Sequence, residues 1–259
     1  MKTFHRSVLG AVALLTSTVG AFAADLYGGS IKDQGYTPTM TRPAMFYARG
    51  DFTAGSNDFG SLTEQPNYTL SDRHIGNNRA WGAGIGMYFS PQVRGDLTLD
   101  WSSAASVTGL IAPATGATVQ GERQFGVKHV VGLANLYYDF DTRTRFTPYL
   151  GVGLGFATNK TTDGNVAVVG CAAACSATMD SASKTNAAGA LMAGFSAKLV
   201  DRWSLDAGYR FLYLGDAHTS DINITRTPPV VGAPNSTPAV NVNDMYAHQF
   251  RVGLRMDLR

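Results

Sequence analysis

The chain is short of charge, of cysteine and of long apolar runs, and each shortage excludes something. Asp, Glu, Lys and Arg make up 15% of its 259 residues, against about a quarter in ordinary globular domains. With 44% hydrophobic residues and 29 glycines, it is nonetheless too apolar for disorder and long enough for one large β domain. Cys171 and Cys175, in GCAAACS, are the only cysteines. Their spacing matches no zinc pattern, and no His or Cys nearby in sequence completes one. In an exported chain they are expected to form a local disulfide, with two free thiols on a loop as the alternative. No metal or other cofactor is expected. No basic run with interleaved aromatics occurs, which sets nucleic acid aside as a partner. Beyond residue 23 no apolar stretch approaches the ~20 residues of a spanning helix. If this chain crosses a membrane, only a closed barrel remains open to it.

Residues 1–23 read as a secretory signal. Lys2 and Arg6 supply the positive start, VLGAVALL (8–15) the short apolar core, and Ala21-Phe22-Ala23 an A-x-A site with cleavage between Ala23 and Ala24. Thr16, Ser17, Thr18 and Gly20 cut the apolar run too short for an anchor. Loss of Lys2 and Arg6 leaves 19 basic against 19 acidic residues, so the mature chain is formally neutral. Residues 24–43 are rich in Gly and Pro and are assigned to a periplasmic segment ahead of the first strand.

The rest reads in period two. Eight segments alternate apolar and polar residues, at roughly 44–56, 80–90, 93–103, 129–141, 146–158, 187–199, 203–216 and 246–258. In WSLDAGYRFLYLGD, Trp203, Leu205, Ala207, Tyr209, Phe211 and Tyr213 oppose Ser204, Asp206, Gly208 and Arg210. The links at 91–92, 142–145 and 200–202 are tight and polar, whereas those at 57–79, 104–128, 159–186 and 217–245 run to tens of residues. Long connections at every second position all leave the same end. Transmembrane barrels sort their loops this way, short inside and long outside; a soluble sandwich with Greek-key crossings has no reason to, and a lipocalin-type soluble barrel is set aside with it.

The polar faces carry a balanced charge set. Arg49, Arg94, Lys198, Arg210, Arg251 and Arg255 stand against Asp51, Asp96, Asp100, Asp139, Asp206 and Asp257. Inside a closed lumen such charges must pair, so a lumen network is expected, with Arg210 and Arg251 each near Asp96, Asp100, Asp139 or Asp206. The apolar faces then meet lipid. Trp81, Trp101, Tyr137, Tyr138, Trp203 and Tyr213 near the strand ends are assigned to interfacial belts. The fold expected over 44–259 is all-β: an eight-stranded antiparallel transmembrane barrel with short periplasmic turns and long extracellular loops.

Four stretches, AADLYGGSIKD (23–33), FTPYLGVGLGF (146–156), LDAGYRFLYLGD (205–216) and HQFRVGLRMDL (248–258), resemble the small outer-membrane β-barrel family. Its relatives are the immunogenic surface proteins, the opacity proteins and the transmembrane half of OmpA. The resemblance implies residence in a Gram-negative outer membrane with exposed, antigenic loops. It also implies contact with outer-membrane lipid, lipopolysaccharide and the barrel-insertion machinery. This sequence closes on Leu258-Arg259 rather than the aromatic residue common in the family, and no peptidoglycan-binding domain follows, so a tethering role is not expected.

No residue pattern in the sequence carries a catalytic site. HTS (218–220) has the His-x-Ser spacing of barrel lipid deacylases, but strand parity puts His218 and Ser220 on the lumen face or in a loop, away from lipid; the protein is not expected to be an enzyme. His74, His129 and His218 lie in or beside separate outward loops and are expected to be solvated. TRTPPVVGAPNSTPAV (225–240) is expected as a flexible exposed loop. The functional expectation is a structural barrel displaying loops for surface interaction, adhesion or envelope integrity toward host or envelope molecules; the alternative is a narrow porin-like channel for small solutes.

Overall fold

A computed structural model of the chain describes residues 45–63, 68–113, 121–162, 164–168, 175–226, 236–237 and 241–258. Residues 1–44, which hold the expected signal and the 24–43 segment, and Cys171 of the expected disulfide lie outside the described residues. Among the described residues fourteen strands occur, in chain order β1 (Phe46–Thr63), β2 (Tyr68–Ile75), β3 (Asn77–Tyr88), β4 (Val93–Ser102), β5 (Ala105–Pro113), β6 (Gly121–Asp139), β7 (Phe146–Thr161), β8 (Gly164–Val168), β9 (Cys175–Met179), β10 (Ser183–Val200), β11 (Trp203–His218), β12 (Ile222–Arg226), β13 (Ser236–Thr237) and β14 (Asn241–Leu258).

Eight of them close into an antiparallel barrel in the order β1-β3-β4-β6-β7-β10-β11-β14, and β14 pairs back onto β1. These are the eight segments the period-two pattern marks. The hydrogen-bonded row that starts at Phe46 passes through Met87, Gly95, Leu136, Val152, Leu191, Phe211 and His248. It returns to β1 at Ser56, ten residues further along the strand. That stagger tilts the strands by about 40° and leaves an interior that side chains can fill.

Alternation decides which face each residue takes. On β14, Gln249, Arg251 and Arg255 are buried in the lumen while Phe250, Val252 and Leu254 are exposed on the outside. On β7 the outward set Phe146, Leu150, Val152, Leu154 and Phe156 is exposed throughout, Leu154 at 74%. From Phe146 to Phe156, at about 2.5 Å of height per residue on a tilted strand, this apolar face is about 25 Å tall, the height of the lipid-facing band of such barrels. Inward glycines give room to neighbours: a β-carbon at Gly253 would overlap the Asp51 carboxylate, and one at Gly151 would overlap the Tyr137 ring.

The barrel has two unlike ends. At one, residues 89–92, 140–145 and 201–202 make tight links. In the second of these, Asp141 Oδ1 accepts the Arg143 amide at 2.9 Å, and Arg143 takes a φ of 55°. At the other end the long connections are not plain loops. They hold β2, β5, β8, β9, β12 and β13, and the barrel strands themselves run further than the alternation suggests. β6 starts at Gly121, β10 at Ser183 and β14 at Asn241. The extension of β6 pairs with β5 on one edge and β8 on the other, so a ribbon β2-β5-β6-β8-β9-β12-β13 continues the sheet past the barrel mouth. The expectation of plain loops fails here because the strand partners are distant in sequence and the alternation is short.

Candidate functional site: the charged lumen

Parity brings the expected charges into one connected interior. Arg49, Arg94, Arg210, Arg251 and Arg255 are all buried, as are Asp51, Asp96, Asp100, Asp139 and Asp206: five cations with five anions. Lys198 and Asp257 lie half-buried at the short-turn rim, paired with each other at 3.3 Å, and the Tyr88 hydroxyl donates to Asp257 at 2.9 Å.

One step inward, Arg94 Nε donates to Asp139 at 2.9 Å, while its guanidinium lies over the rings of Tyr137 and Tyr149, at 4.2 and 5.1 Å from their centroids. Stacking of this kind suits a planar, weakly hydrated cation. Arg255 stands 3.5 Å from Asp206, whose carboxylate also accepts the Ser196 hydroxyl. Arg49 is the hub. It donates to Asp51 at 2.8 Å and to Asp96 at 2.9 Å, and lies 3.9 Å from Asp206. Asp96 gathers further donors, the Tyr47 hydroxyl at 3.0 Å and the Asn135 amide at 2.7 Å.

Toward the long-loop end, Arg210 donates to Asp100 at 2.5 Å and to Gln249 at 2.8 Å. Its strand, β11, lies four places from β4 around the eight-strand circuit, so this ion pair spans the barrel as a strut. Arg251 feels the charge of Asp100, one of the expected four, but its direct partner lies outside them. It binds Asp51 at 2.6 Å, because the stagger sets Arg251 opposite Thr53, one lumen position from Asp51.

Further corrections concern single residues. Tyr137 is not in an interfacial belt: it is 2% exposed, with its ring in the lumen. His129 is buried in the lumen rather than solvated. Ser220, by contrast, keeps to a loop, where its Oγ donates to the Asp180 carbonyl at 2.7 Å. The neutral members of the network, Tyr47, Asn135, Tyr149, Ser196 and Gln249, carry no charge to mark them in the sequence, and only their lumen parity points to them. Every guanidinium and carboxylate here is held by others of opposite sign, an arrangement that braces and fills an interior.

This geometry matches a known class. The family model for the outer membrane protein beta-barrel domain matches residues 9–256, and the chain belongs to that family of outer-membrane proteins. An uncharacterized protein of Brucella melitensis is 28% identical over 275 residues, covering 95% of each chain. Outer membrane protein PagN of Salmonella typhimurium is 31% identical over 105 residues, 36% of this chain and 42% of its own. Among solved structures, the outer membrane protein OprG of Pseudomonas aeruginosa is similar at 17% identity and a TM-score of 0.49, over 83% of this chain and 98% of that one.

Proposed function

We propose that this outer-membrane barrel is a closed, non-enzymatic scaffold whose working part is its long-loop end, exposed outside the cell for contact with host or envelope surfaces. Residues 1–23 are removed on export, and the short turns face the periplasm. The observation that carries this reading is the contrast between the two halves of the molecule. Ten buried charges and their polar partners fill the lumen, whereas the ribbon from β2 to β13 extends the sheet beyond the mouth. Rigid scaffolds commonly display function on such segments. The expected experiment has two arms: purified protein in planar bilayers stays silent, and deletion of residues 160–186 or 217–245 removes cell-surface binding.

A narrow pore is the second reading. It is favoured by buried polar atoms without a protein partner, Gln249 Nε2, His129 Nδ1 and Asn159 Oδ1 among them, since such groups pair with water in a wet interior. Stable conductance steps abolished by Arg210→Glu would make the protein a channel and overturn the first reading.

A further inference from the structure

On the outer face of β6 and β7 the apolar band stops abruptly. Its last row sets Gly132 opposite Phe156, and the Phe156 ring covers the space where Gly132 lacks a β-carbon. The next outward row is Val130, Thr158 and Thr185, the two threonine hydroxyls 2.9 Å apart. The row above that sets Lys128 opposite Lys160, with Ser183 beyond. Both lysines are exposed. Four residues of tilted strand separate them from the Gly132–Phe156 row, about 10 Å of height, which puts the two ammonium groups at the depth of lipid headgroups.

Like charges directly opposite in a sheet repel, their β-carbons only about 5 Å apart. Neither lysine has a carboxylate partner among the described residues, so no described carboxylate relieves the repulsion. The opposite flank of the barrel, the β1–β14 seam four places away, carries acid instead at its long-loop end. Asp58 and Asp244 stand there beside Tyr246 and Tyr213, whose hydroxyls bond to them. Among the described residues, the exposed charge at this height is therefore cationic on the β6–β7 flank and anionic on the β1–β14 seam.

The geometry points to a headgroup site on the β6–β7 flank: Lys128 and Lys160 together clasp a phosphate of an outer-leaflet glycolipid, with the Thr158 and Thr185 hydroxyls below them and the acyl chains lying along Phe156 and Leu154. Two ammonium groups, three donors each, match a phosphate dianion, and the phosphate removes the repulsion between them. A lipid, rather than free phosphate, is the occupant because the pair sits directly above an apolar face of membrane height. This inference rests on the proposed orientation, since only that end meets the outer leaflet.

The test uses the full mature protein in phosphatidylcholine nanodiscs titrated with bis-phosphorylated lipid A, with bound lipid counted by native mass spectrometry. Both leaflets of a nanodisc receive the same lipid, so the outcome is independent of orientation, which protease shaving of cells tests separately. Lipid A is expected to bind, and lipid A stripped of its phosphates to bind far less. K128Q together with K160Q should weaken binding roughly thirtyfold, at the usual attraction per lysine to an anionic lipid surface. K128R with K160R should restore it, and D58N with D244N on the far flank should leave it unchanged. Equal binding of phosphate-free lipid A, or full retention by the glutamine pair, would overturn the site. Displacement of lipid A by millimolar inorganic phosphate would overturn the lipid as its occupant. A gel-shift check that each variant still folds separates lost binding from lost structure.

Discussion

Replacing Arg210 with alanine strands Asp100 inside the barrel. The arginine is 1% exposed, and it is the cation that Asp100 binds. Its removal also takes the donor from Gln249 Oε1. Losing one member of a buried ion pair costs about 3–5 kcal/mol, because the remaining charge stays desolvated and unanswered. The orphaned amide oxygen adds on the order of 1 kcal/mol. Against a urea dependence of roughly 1–3 kcal/mol per molar, the unfolding midpoint in lipid vesicles should fall by about 2 M. The folded barrel should also lose its compact gel mobility at a lower temperature. Arg210→Met combined with Asp100→Leu removes both charges and should recover most of the loss, since neither is left unpaired. An unchanged transition in Arg210→Ala would refute the network's structural role. So would a double variant as unstable as the two single losses added together.

Lys198 offers the contrast. It is 40% exposed at the rim, so Lys198→Ala should shift the same transition by less than about 1 kcal/mol. Gly253→Val places side-chain atoms where the Asp51 carboxylate lies, displacing it from Arg49 and Arg251, and should lower the urea transition by roughly 1–3 kcal/mol. Protease applied to intact cells should cut near residues 65, 115, 170 and 230 and spare the turns near Gln92 and Asp201; cleavage at the turns would invert the topology. Mass spectrometry of unreduced protein should find Cys171 joined to Cys175, and two alkylatable thiols would refute the pairing.

How much of this was legible beforehand depended on whether the signal was local. WSLDAGYRFLYLGD and HQFRVGLRMDLR announce their faces because lipid on one side and a packed lumen on the other demand opposite chemistry at successive residues. Past the membrane edge that demand ends. β5, ASVTGLIAP, and the 121–127 stretch of β6 pair with each other, yet nothing in either sequence names the other. Charge identity was equally local and charge partnership was not. Arg251 meets Asp51, 200 residues away, through a stagger that emerges only when the eight strands close. Tyr137 shows the limit of composition: its residue type suggested an interfacial belt, while its odd position, beside Asn135 and Asp139, already placed it inside.

The Arg210–Asp100 strut has a consequence in time. Neighbouring strands can pair while the sheet is still open, and so can contacts such as Arg94 with Asp139 on β4 and β6. A bond between β11 and β4 exists only once β14 has met β1 and the circle is complete. It therefore adds nothing to the assembly steps that precede closure and everything to the barrier against reopening. Interactions formed after the transition state slow unfolding without speeding folding. A strut of this kind lets a small barrel close at its ordinary pace and then stay closed far longer than its folding speed alone would suggest.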